Sequence, residues 1–423
     1  MKENVFHILK ERGFLYQTTD DKALEKLLER KKITCYIGFD ATADSLHVGS
    51  LVPIMGLVHM QRFGHRPIAL LGGGTTMVGD PSGKTEMRQV LSPEQIKAYG
   101  EKIKKQFSQY LSFEEGKALL LNNADWLLSL NYIEFLREIG QHFSVNRMLT
   151  VESVRLRLKT GLSFLEFNYS LLQAYDFYFL ARNYDCALQM GGQDQWGNIV
   201  AGSDLTRRMM NKQVYGMTFP LITTSSGEKF GKSAGNAIWL DKKMTSPYDF
   251  YQYWRNVDDR DVEKYLGLFT LLPMEEVKRL PKQNIRRAKD ILAYEVTKLA
   301  HGKDEADHAY TASMKHFNES DPNREIVTIS DIITIPPNTE SKIPTVQMSD
   351  SILSDGIWIV KLFVESGLCS SNSEARRVIK QSGVYLNDQK ITDENMEITR
   401  DHLVDSALIL RVGKKRYKRI VFE

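Results

Sequence analysis

The sequence predicts an α/β fold: a Rossmann-like parallel-sheet catalytic domain, then an α-helical domain and a small α+β domain. The first indication is a pair of apolar runs, residues 67–71 and 187–190, that each end in glycines. Strands buried on both faces of a parallel sheet have this pattern, and open α/β sheets bind ligands where such strands end. The second indication is that helical patterns follow the strands at 33–39 and 187–190, as in a sheet built from two halves.

The composition is that of an ordinary globular protein. The chain has 423 residues and a formal net charge of +3, so contact with a nucleic acid would need local basic surface. Its cysteines, Cys35, Cys186 and Cys369, are far apart and predict buried thiols in a reducing compartment. No membrane-spanning apolar run or signal-peptide pattern is visible. We therefore expect a cytoplasmic protein without a membrane partner.

The first strand–loop–helix unit spans residues 33–60. Gly38 lies inside the predicted strand, where a ligand or another backbone could approach closely. His47 and Gly49 precede an apolar helical run, 51–60, whose N-terminus would favour a negatively charged group. A plain turn with a hydrogen-bonded histidine is the alternative, and so short a motif does not decide between them.

The second unit begins at the buried strand 67–71. Glycine-rich residues 72–84 follow it, without the spacing of a Walker A loop, and either a plain loop or a ligand-binding loop fits them. Ser92 and Gln95 form a predicted capping box, which begins a helix that reaches about residue 111. The other elements predicted before residue 160 are helices at 4–12, 21–30 (capped by Thr18 or Thr19), 132–139 and 151–158, and a strand at 118–121.

A strongly apolar helix is predicted over residues 164–181. Tyr169, Gln173 and Asp176 lie at i, i+4 and i+7, so they share one face of this helix. A carboxylate buried in an apolar helix is costly unless it has partners. The face is therefore either the solvent side of the helix or the wall of a pocket with converging hydrogen-bonding groups.

Two more polar loops follow. The strand at 187–190 leads into residues 191–198, Gly-Gly-Gln-Asp-Gln-Trp-Gly-Asn, and then into a helix over 199–210. Residues 225–233 form a glycine-rich loop in which Lys229 and Lys232 are three positions apart. Such a loop is either a solvated turn or a phosphate clamp.

The sequence divides into residues 1–222, 223–320, 321–350 and 351–423. Residues 246–317 have a helical pattern, whereas the Ser-, Thr- and Pro-rich residues 321–350 indicate a linker. The last segment contains helices at 357–366 and after Ser371, two short strands and many cations, which either bind phosphates or form a solvated charged surface. These cations are Arg376, Arg377, Lys380, Arg411, Lys414, Lys415, Arg416, Lys418 and Arg419.

Together these segments resemble the class I aminoacyl-tRNA synthetases, and among them the bacterial-type tyrosyl-tRNA synthetases. Residues 47–50, His-Val-Gly-Ser, are similar to the HIGH motif, and residues 229–233, Lys-Phe-Gly-Lys-Ser, to the KMSKS loop. Residues 79–82, 172–177 and 194–198 resemble stretches found in the tyrosyl family. The last segment is similar to the small RNA-binding domain first known from the fourth protein of the small ribosomal subunit. The resemblance covers essentially the whole chain.

The resemblance implies a pocket for L-tyrosine. Tyr36 and Asp176 would hydrogen-bond its phenolic hydroxyl, and phenylalanine would leave both groups buried and unpaired. This enzyme family is itself known to discriminate against phenylalanine by a factor of about 10⁴–10⁵. A carboxylate and oriented dipoles would hold the substrate ammonium group. The tyrosine-binding residues implied are Tyr36, Asp80, Tyr169, Gln173, Asp176 and Gln195.

The resemblance also implies a tyrosine–tRNA ligase reaction, in which the tyrosine carboxylate attacks the α-phosphorus of ATP to give tyrosyl-adenylate and pyrophosphate. Such a step needs positioning and charge stabilisation. His47, Lys229 and Lys232, with Lys84 and Arg88 as looser candidates, would act on the phosphates. Mg²⁺ would arrive with ATP, and no fixed protein-bound metal is expected. The ATP-binding residues implied are Gly38, Asp40, His47, Gly49, Ser50, Gly192, Asp194, Lys232 and Ser233.

Ser50 departs from the family pattern. It occupies the position of the second histidine of the HIGH motif. Because its hydroxyl is shorter, we expect any contact between Ser50 and the nucleotide to run through water.

In the second step a hydroxyl of the terminal adenosine of tRNA(Tyr) would take the tyrosyl group. Residues 246–317 would contact the anticodon-stem side, and the last segment would hold the long variable arm. The family forms homodimers, for which apolar helix faces around residues 135–149 are available.

Two other hypotheses compete with this interpretation. One is the same fold acting on tryptophan, or another adenylyl transferase with a HIGH motif. Tyr36 with Asp176 disfavours it, because indole offers one donor and no acceptor. The other is a synthetase-derived RNA-binding protein without catalysis, which the joint presence of His47, Lys229 and Lys232 disfavours.

Overall fold

The computed structural model divides into two compact units. The first comprises Met1–Met244 and Asp258–Gln283, and the second comprises Thr245–Val257 and Asn284–Glu423. The residues that the structure describes are 4–82, 91–225, 230–233, 236–316, 320–323, 325–335, 344–354, 356–387, 389–404, 406–413 and 416–423.

Strands and helices are numbered along the chain. The strands are β1 (Gln17–Thr18), β2 (Thr34–Phe39), β3 (Arg66–Leu71), β4 (Leu119–Asn122), β5 (Cys186–Gly192), β6 (Tyr215–Phe219), β7 (Lys232–Ser233), β8 (Asn236–Ala237), β9 (Thr345–Met348), β10 (Ile357–Trp358), β11 (Val384–Leu386), β12 (Gln389–Ile391), β13 (Glu397–Ile398), β14 (Ala407–Val412) and β15 (Arg416–Phe422). The helices are α1 (Val5–Glu11), α2 (Asp21–Arg30), α3 (Leu51–Arg62), α4 (Pro93–Phe107), α5 (Ala124–Leu127), α6 (Tyr132–Glu138), α7 (Val145–Thr150), α8 (Glu152–Leu158), α9 (Phe164–Asn183), α10 (Trp196–Met210), α11 (Pro247–Arg255), α12 (Val262–Phe269), α13 (Met274–Gln283), α14 (Ile285–His301), α15 (Lys303–His316), α16 (Ser351–Ser354), α17 (Ile359–Glu365) and α18 (Asn372–Lys380).

The first unit is built on one mostly parallel sheet. Within the described residues its six strands run in the order β1-β6-β5-β2-β3-β4, and only the edge strand β1 is antiparallel to its neighbour. From β2 the chain builds outward through β3 and β4, and it then returns to add β5 on the other side of β2. The carboxyl ends of β2 and β5 therefore meet at a topological switch point, the place where open α/β sheets bind ligands.

The predicted α/β class is confirmed, and the best-predicted strand is β3. Its residues from Pro67 to Leu71 are all buried, as expected of a continuous apolar run in a parallel sheet. In β2 the buried pattern is broken by Gly38 alone. All three cysteines are buried free thiols, which also agrees with the prediction.

Several element boundaries differ from the sequence-based prediction. Thr18 and Thr19 do not cap α2; the side chain of Asp20 accepts the Ala23 N–H at 3.0 Å, because Thr18 pairs with β6 instead. The strand β6 was not predicted, since Gly216 and Thr218 interrupt its apolar pattern. α10 begins at Trp196 rather than at residue 199, directly after the turn that follows β5.

The second unit contains a helical part and a small α+β part. In the helical part α11 packs against α14 and α15 and buries the aromatic side chains of Tyr248, Phe250, Tyr251 and Trp254. The Arg255 guanidinium lies 2.7 Å from the Asp290 carboxylate across this packing.

The α+β part ends the chain. As far as the structure describes it, five strands are ordered β12-β11-β14-β15-β9, with β9 parallel to β15 and the others antiparallel. The strand β9 lies inside the segment interpreted as a linker, so the end of that segment belongs to this sheet instead. The helix predicted from residue 357 begins at Ile359, because Ile357 and Trp358 pair with β13 as the strand β10.

None of the helices in the described ranges is both long and apolar enough to cross a lipid bilayer.

Candidate active site

The carboxyl ends of neighbouring strands bring four polar segments together. Asp40 follows β2, Gly72 follows β3, Asn123 follows β4 and Gly192 ends β5. The Gly72 N–H donates to the Phe39 carbonyl at 2.9 Å, and the Asn123 N–H donates to the Leu71 carbonyl at 2.9 Å. The loops therefore continue the pairing of the strands, and their side chains converge at the switch point.

The polar face of α9 is buried and is therefore not a solvent face. Tyr169 and Asp176 are only 6% and 2% exposed, and Gln173 between them is half-buried. One Asp176 carboxylate oxygen accepts the Trp126 indole N–H at 2.8 Å, and the other accepts the Asn123 amide at 2.9 Å. Burial raises the pKa of Asp176 to about 7, although these two hydrogen bonds oppose the rise.

Tyr36 places a buried hydroxyl group near the Asp176 carboxylate. It lies in β2 with its ring centroid 5.4 Å from that of Phe177, and its hydroxyl has no hydrogen-bond partner among the described residues. Burial, followed by the charge of Asp176, raises the pKa of Tyr36 well above its ordinary value. A buried polar group without a partner costs free energy, so this hydroxyl indicates a place for a ligand's polar atom.

Asp40 is held by two hydroxyl groups. The Thr75 hydroxyl donates to one carboxylate oxygen at 2.9 Å, and the Tyr169 hydroxyl donates to the other at 3.3 Å. Tyr169 therefore connects α9 to the end of β2. Asp40 and Asp176, which come from distant parts of the sequence, belong to one hydrogen-bonded group.

Asp80, Gln195 and Asp194 form a neighbouring group. The Gln195 amide donates to Asp80 at 2.7 Å and lies 3.5 Å from Asp194, while the Ser82 N–H donates to Asp80 at 2.9 Å. Asp80 is buried, so its carboxylate is oriented by fixed donors rather than by water. Across the described ranges, no three His, Cys, Asp or Glu side chains are grouped so that they could hold a metal ion.

Three glycines keep space open around these side chains. A Cβ atom at Gly38 would meet nothing within 4 Å, so this part of β2 faces open space that a ligand can enter. A Cβ at Gly192 would lie 2.5 Å from an Asp194 oxygen, and one at Gly72 would lie 2.3 Å from an Asp40 oxygen. The two glycines therefore allow the carboxylates to fold back against the strand ends.

His47 caps the start of the first crossover helix. Its Nδ1 atom accepts the Gly49 N–H at 2.9 Å, and a Cβ at Gly49 would lie 2.5 Å from the imidazole Cε1 atom. The imidazole itself is exposed. Ser50 forms no side-chain cap on α3, and its role stays a prediction.

The segment that follows the lysine-rich loop pairs with the His47 segment. The Val48 N–H donates to the Ile238 carbonyl at 2.9 Å, and the Leu240 N–H donates to the Leu46 carbonyl at 2.8 Å. Gly231 has a φ of +84°, and a Cβ there would lie 2.9 Å from Val48. Gly231 of the lysine-rich loop and Val48 of the His47 segment, far apart in sequence, are thus neighbours in space.

The cations predicted for this region are described only in part. Lys232 and Ser233 form β7, which pairs with β8 beside the His47 segment. Lys84, Arg88 and Lys229 lie outside the described residues.

A cavity of about 610 Å³ lies on one side of the site. Its walls come from α7 to α10 and include Arg147, Val151 and Trp196, with Gln193 and Asp194 at the edge. Neither Tyr36 nor Asp176 is among the residues that line it.

The α+β part of the second unit carries its cations on aromatic rings and in ion pairs. Arg376 lies 5.0 Å from the centre of the Trp358 ring, and Arg411 lies 3.5 Å from that of Tyr385. Arg416 donates to the Leu368 carbonyl at 2.8 Å and is therefore partly engaged inside the domain. Of the predicted basic residues, Lys414 and Lys415 lie outside the described residues.

Sequence reasoning missed Thr75, Asn123 and Trp126. Asn123 lies two residues after the predicted strand 118–121 and directly after the observed β4, so the rule that ligands bind at the carboxyl ends of strands could have found it. Trp126 and Thr75 become visible only through their hydrogen bonds to Asp176 and Asp40, which no local pattern signals.

The fold and the paired motifs at its switch point define a class I aminoacyl-tRNA synthetase. A family model described as tRNA synthetases class I (W and Y) matches residues 28–318, and one described as the tyrosine–tRNA ligase SYY-like C-terminal domain matches residues 337–420.

Relatives of known name narrow the assignment. The chain is 54% identical to the tyrosine–tRNA ligase of Desulfosudis oleivorans, over 99% of each chain. It is 52% identical to that of Clostridium kluyveri, over 99% of this chain and all of the relative. A C-terminally truncated mitochondrial tyrosyl-tRNA synthetase of Aspergillus nidulans is a structural match with a TM-score of 0.68, at 32% identity over 74% of this chain and 94% of that one. The chain belongs to the tyrosine–tRNA ligase family.

Proposed function

We propose that the polar groups at the switch point carry out the reaction of this family: activation of L-tyrosine with ATP, followed by transfer of the tyrosyl group to tRNA(Tyr). Tyr36 and Asp176 bind the phenolic hydroxyl of the substrate. Asp80, Tyr169, Gln173 and Gln195 bind its ammonium end, where oriented oxygen atoms suit a cation.

One observation carries the assignment of tyrosine: the Tyr36 hydroxyl is buried without a partner, next to a buried carboxylate. A phenolic hydroxyl can accept from Tyr36 and donate to Asp176 at once, which satisfies both groups. Indole has no acceptor for Tyr36, and phenylalanine has neither group. The family model that matches residues 28–318 covers class I synthetases for tryptophan and for tyrosine. Of these two amino acids, the arrangement supports tyrosine.

The nucleotide end is assigned to the side of the site that Gly38 leaves open. Asp40, Gly49, Ser50, Gly192 and Asp194 line the adenylate, with Gly38 allowing close approach. The exposed imidazole of His47 acts on the phosphates. Lys232 and Ser233, with Lys229, Lys84 and Arg88, complete the phosphate end, where cations stabilise the charge that develops on pyrophosphate.

Mg²⁺ takes part as a component of the ATP substrate. A Mg²⁺ ion commonly keeps several waters and is bound largely by substrate phosphates, so a dedicated protein cage is not required. The ion neutralises part of the charge of the leaving pyrophosphate.

We assign the catalytic role to residues 1–222 and the loop that begins the next segment, and the tRNA contacts to residues 223–320 and 351–423. Exposed cations such as Arg376, Arg377 and Arg419 support binding of a phosphate backbone by the last segment. As a translation enzyme, the protein acts in the cytoplasm.

The chain works as a homodimer in this proposal. The surface of α6 to α9 exposes several large apolar side chains, among them Ile133 at 69% and Val145 at 58%. Exposed apolar side chains concentrated on one set of helices support a protein–protein interaction site, and a second copy of the chain is the partner expected for this family.

Amino-acid-dependent exchange of pyrophosphate into ATP tests the assigned reaction. Exchange is expected with tyrosine and far less with phenylalanine or tryptophan. Tyr36→Phe is expected to reduce the ratio of the exchange rates with tyrosine and with phenylalanine. Exchange with tryptophan but not with tyrosine would contradict the substrate assignment.

Sedimentation velocity tests the homodimer. Ile133→Asp and Val145→Asp together are expected to shift the protein towards monomer. Val404→Asp is a matched control, because Val404 is an equally exposed apolar residue outside this surface. A monomeric unmodified protein at micromolar concentration would contradict the proposal.

A further inference from the structure

Asn123 joins the two ends of the site through a single amide group. Its Nδ2 atom donates to Asp176 at 2.9 Å and to the Thr75 hydroxyl at 3.0 Å. The Thr75 hydroxyl in turn donates to Asp40 at 2.9 Å. A continuous chain of three hydrogen bonds therefore links the carboxylate of the hydroxyl pocket to the carboxylate at the nucleotide end.

The surrounding backbone fixes the direction of this chain. The Asn123 Oδ1 atom accepts the Gly74 N–H at 2.8 Å. A backbone N–H can only donate, so the amide oxygen must face Gly74 and the amide nitrogen must face Asp176 and Thr75. Each amide hydrogen then has one acceptor, and the hydroxyl hydrogen of Thr75 is left to point at Asp40.

Burial makes the chain stiff. Asn123, Thr75 and Asp176 are all buried, so water does not compete for these donors and acceptors. Hydrogen bonds to ionised groups are strong in such surroundings, and networks of them act together. Trp126 holds the other oxygen of Asp176, so the carboxylate cannot rotate without breaking two bonds.

We propose that Asn123 and Thr75 are positioning residues that couple recognition of the substrate hydroxyl at Asp176 to the orientation of Asp40. The substrate hydroxyl would thereby raise the rate of adenylate formation as well as the affinity for tyrosine. This proposal rests on the assignment of Tyr36 and Asp176 to the phenolic hydroxyl given above.

The coupling follows from the acceptor strength of Asp176. When tyrosine is bound, its hydroxyl donates to Asp176, which stays ionised and keeps a strong hold on the Asn123 amide. When phenylalanine is bound, an apolar ring faces the carboxylate, and uptake of a proton relieves the buried charge. A protonated carboxyl is a weaker acceptor, so Asn123 and Thr75 are held less firmly and Asp40 loses its fixed orientation.

Thr75→Val is the direct test, since valine keeps the branched shape and removes the hydroxyl. We expect the ratio of the single-turnover rates of adenylate formation with saturating tyrosine and saturating phenylalanine to fall by about tenfold. The dissociation constant of tyrosine is expected to change by less than about twofold, because Thr75 is not among the proposed substrate contacts. Thr75→Ser keeps the hydroxyl and is expected to preserve the ratio.

Thr76→Val is the matched control. The Thr76 hydroxyl accepts the Ala41 N–H at 2.9 Å, so it supports the same loop but lies off the chain that reaches Asp176. This variant is expected to alter the rates with both amino acids by the same factor. If Thr75→Val does not fold, Thr75→Ala tests the same loss of the hydroxyl with a smaller side chain.

The outcomes separate the coupling from the site assignment. Equal losses with tyrosine and phenylalanine in Thr75→Val, or an equal fall of the ratio in Thr76→Val, would overturn the coupling. Tyr36→Phe is run in parallel. If it lowers the ratio and Thr75→Val does not, only the coupling fails; if it leaves the ratio unchanged, the hydroxyl pocket is misassigned and the coupling falls with it.

Discussion

The hydroxyl pocket and the C-terminal α+β part place their charged groups in opposite surroundings. Asp176 is buried and held by two side-chain donors, whereas Arg376 is exposed and rests on the face of Trp358. A buried group left without its partner costs the full desolvation penalty, but an exposed cation loses only a screened interaction. We infer that the first arrangement supplies selectivity for one small molecule, and that the second supplies affinity that is shared among many phosphates.

The largest effect is expected from a substitution of the buried Asp176 in the hydroxyl pocket. Asp176→Ala would leave the Trp126 N–H and one Asn123 hydrogen without an acceptor, and it would remove the acceptor for the tyrosine hydroxyl. We expect pyrophosphate exchange with tyrosine to fall by about 10³-fold or more. Thermal denaturation shows whether the variant is folded, and a folded variant with nearly full exchange would refute the role of Asp176.

A smaller loss is expected when the same network is disturbed sterically. Gly72→Ala would place a methyl group 2.3 Å from an Asp40 oxygen and 2.5 Å from the Thr75 hydroxyl. Both side chains must move, and a displacement of this size at an active site costs about 10²-fold in rate. Steady-state exchange kinetics would detect this as a lower kcat.

Gly100→Ala is the control for Gly72→Ala. Gly100 lies in α4, and a Cβ there would meet nothing closer than a Leu71 methyl group at 3.9 Å. Alanine favours a helix by about 1 kcal/mol over glycine, so this variant is expected to melt at a higher temperature with unchanged kinetics. Equal kinetic losses in both variants would show that the loss in Gly72→Ala does not arise from displacement of Asp40 and Thr75.

The pKa of Asp176, about 7, predicts that selectivity depends on pH. Ionised Asp176 accepts the tyrosine hydroxyl, so tyrosine binding should tighten as the pH rises through 7 and then level off. A phenylalanine ring makes the ionised carboxylate harder to solvate, so phenylalanine binding should weaken over the same range. Calorimetric titration at about pH 6 and about pH 8 should show the affinity ratio rising by about tenfold. Parallel pH profiles for the two amino acids would argue against contact with Asp176.

The smallest effect is expected from a substitution of an exposed cation in the C-terminal α+β part. Arg376→Gln should weaken tRNA binding modestly and reduce the slope of log affinity against log salt by about 0.7–0.9, as expected for one lost phosphate contact. Filter binding over a range of salt measures this slope. Lys361→Gln is the matched control, because Lys361 is already paired with Glu365 at 3.5 Å. Pyrophosphate exchange should be unaffected in both variants, and an unchanged salt slope in Arg376→Gln would remove Arg376 from the RNA surface.

The secondary-structure elements also differ in how well the sequence predicts them. β3 and the polar face of α9 were predicted because burial on both faces, or along one helix face, leaves a local period in the sequence. The strand β6 was not predicted, since its position between β5 and β1 stabilises a segment whose own pattern is weak. The strand β9 was hidden for a similar reason, because its backbone pairs with β15 more than 70 residues away.

The residues of the site differ in the same respect: some share one helix, and others come from separate strands. Tyr169 and Asp176 share a helix, so their spacing alone placed them together. Thr75 and Asn123 come from the ends of two different strands, and their partnership depends on a sheet order that the sequence does not state. Residues that touch substrates in a known family can be found by resemblance. Residues that hold those side chains in place can be identified only from the folded structure.

The cap that His47 provides at the start of its helix also decides which of its ring nitrogens carries the proton. Since Nδ1 accepts the Gly49 N–H, the neutral ring must hold its hydrogen on Nε2. In the proposed site, His47 would therefore meet a phosphate oxygen as a hydrogen-bond donor. A second proton would occupy the lone pair that Gly49 uses and would release that N–H, so the cap on the helix and the proposed contact with the nucleotide both depend on this one tautomer.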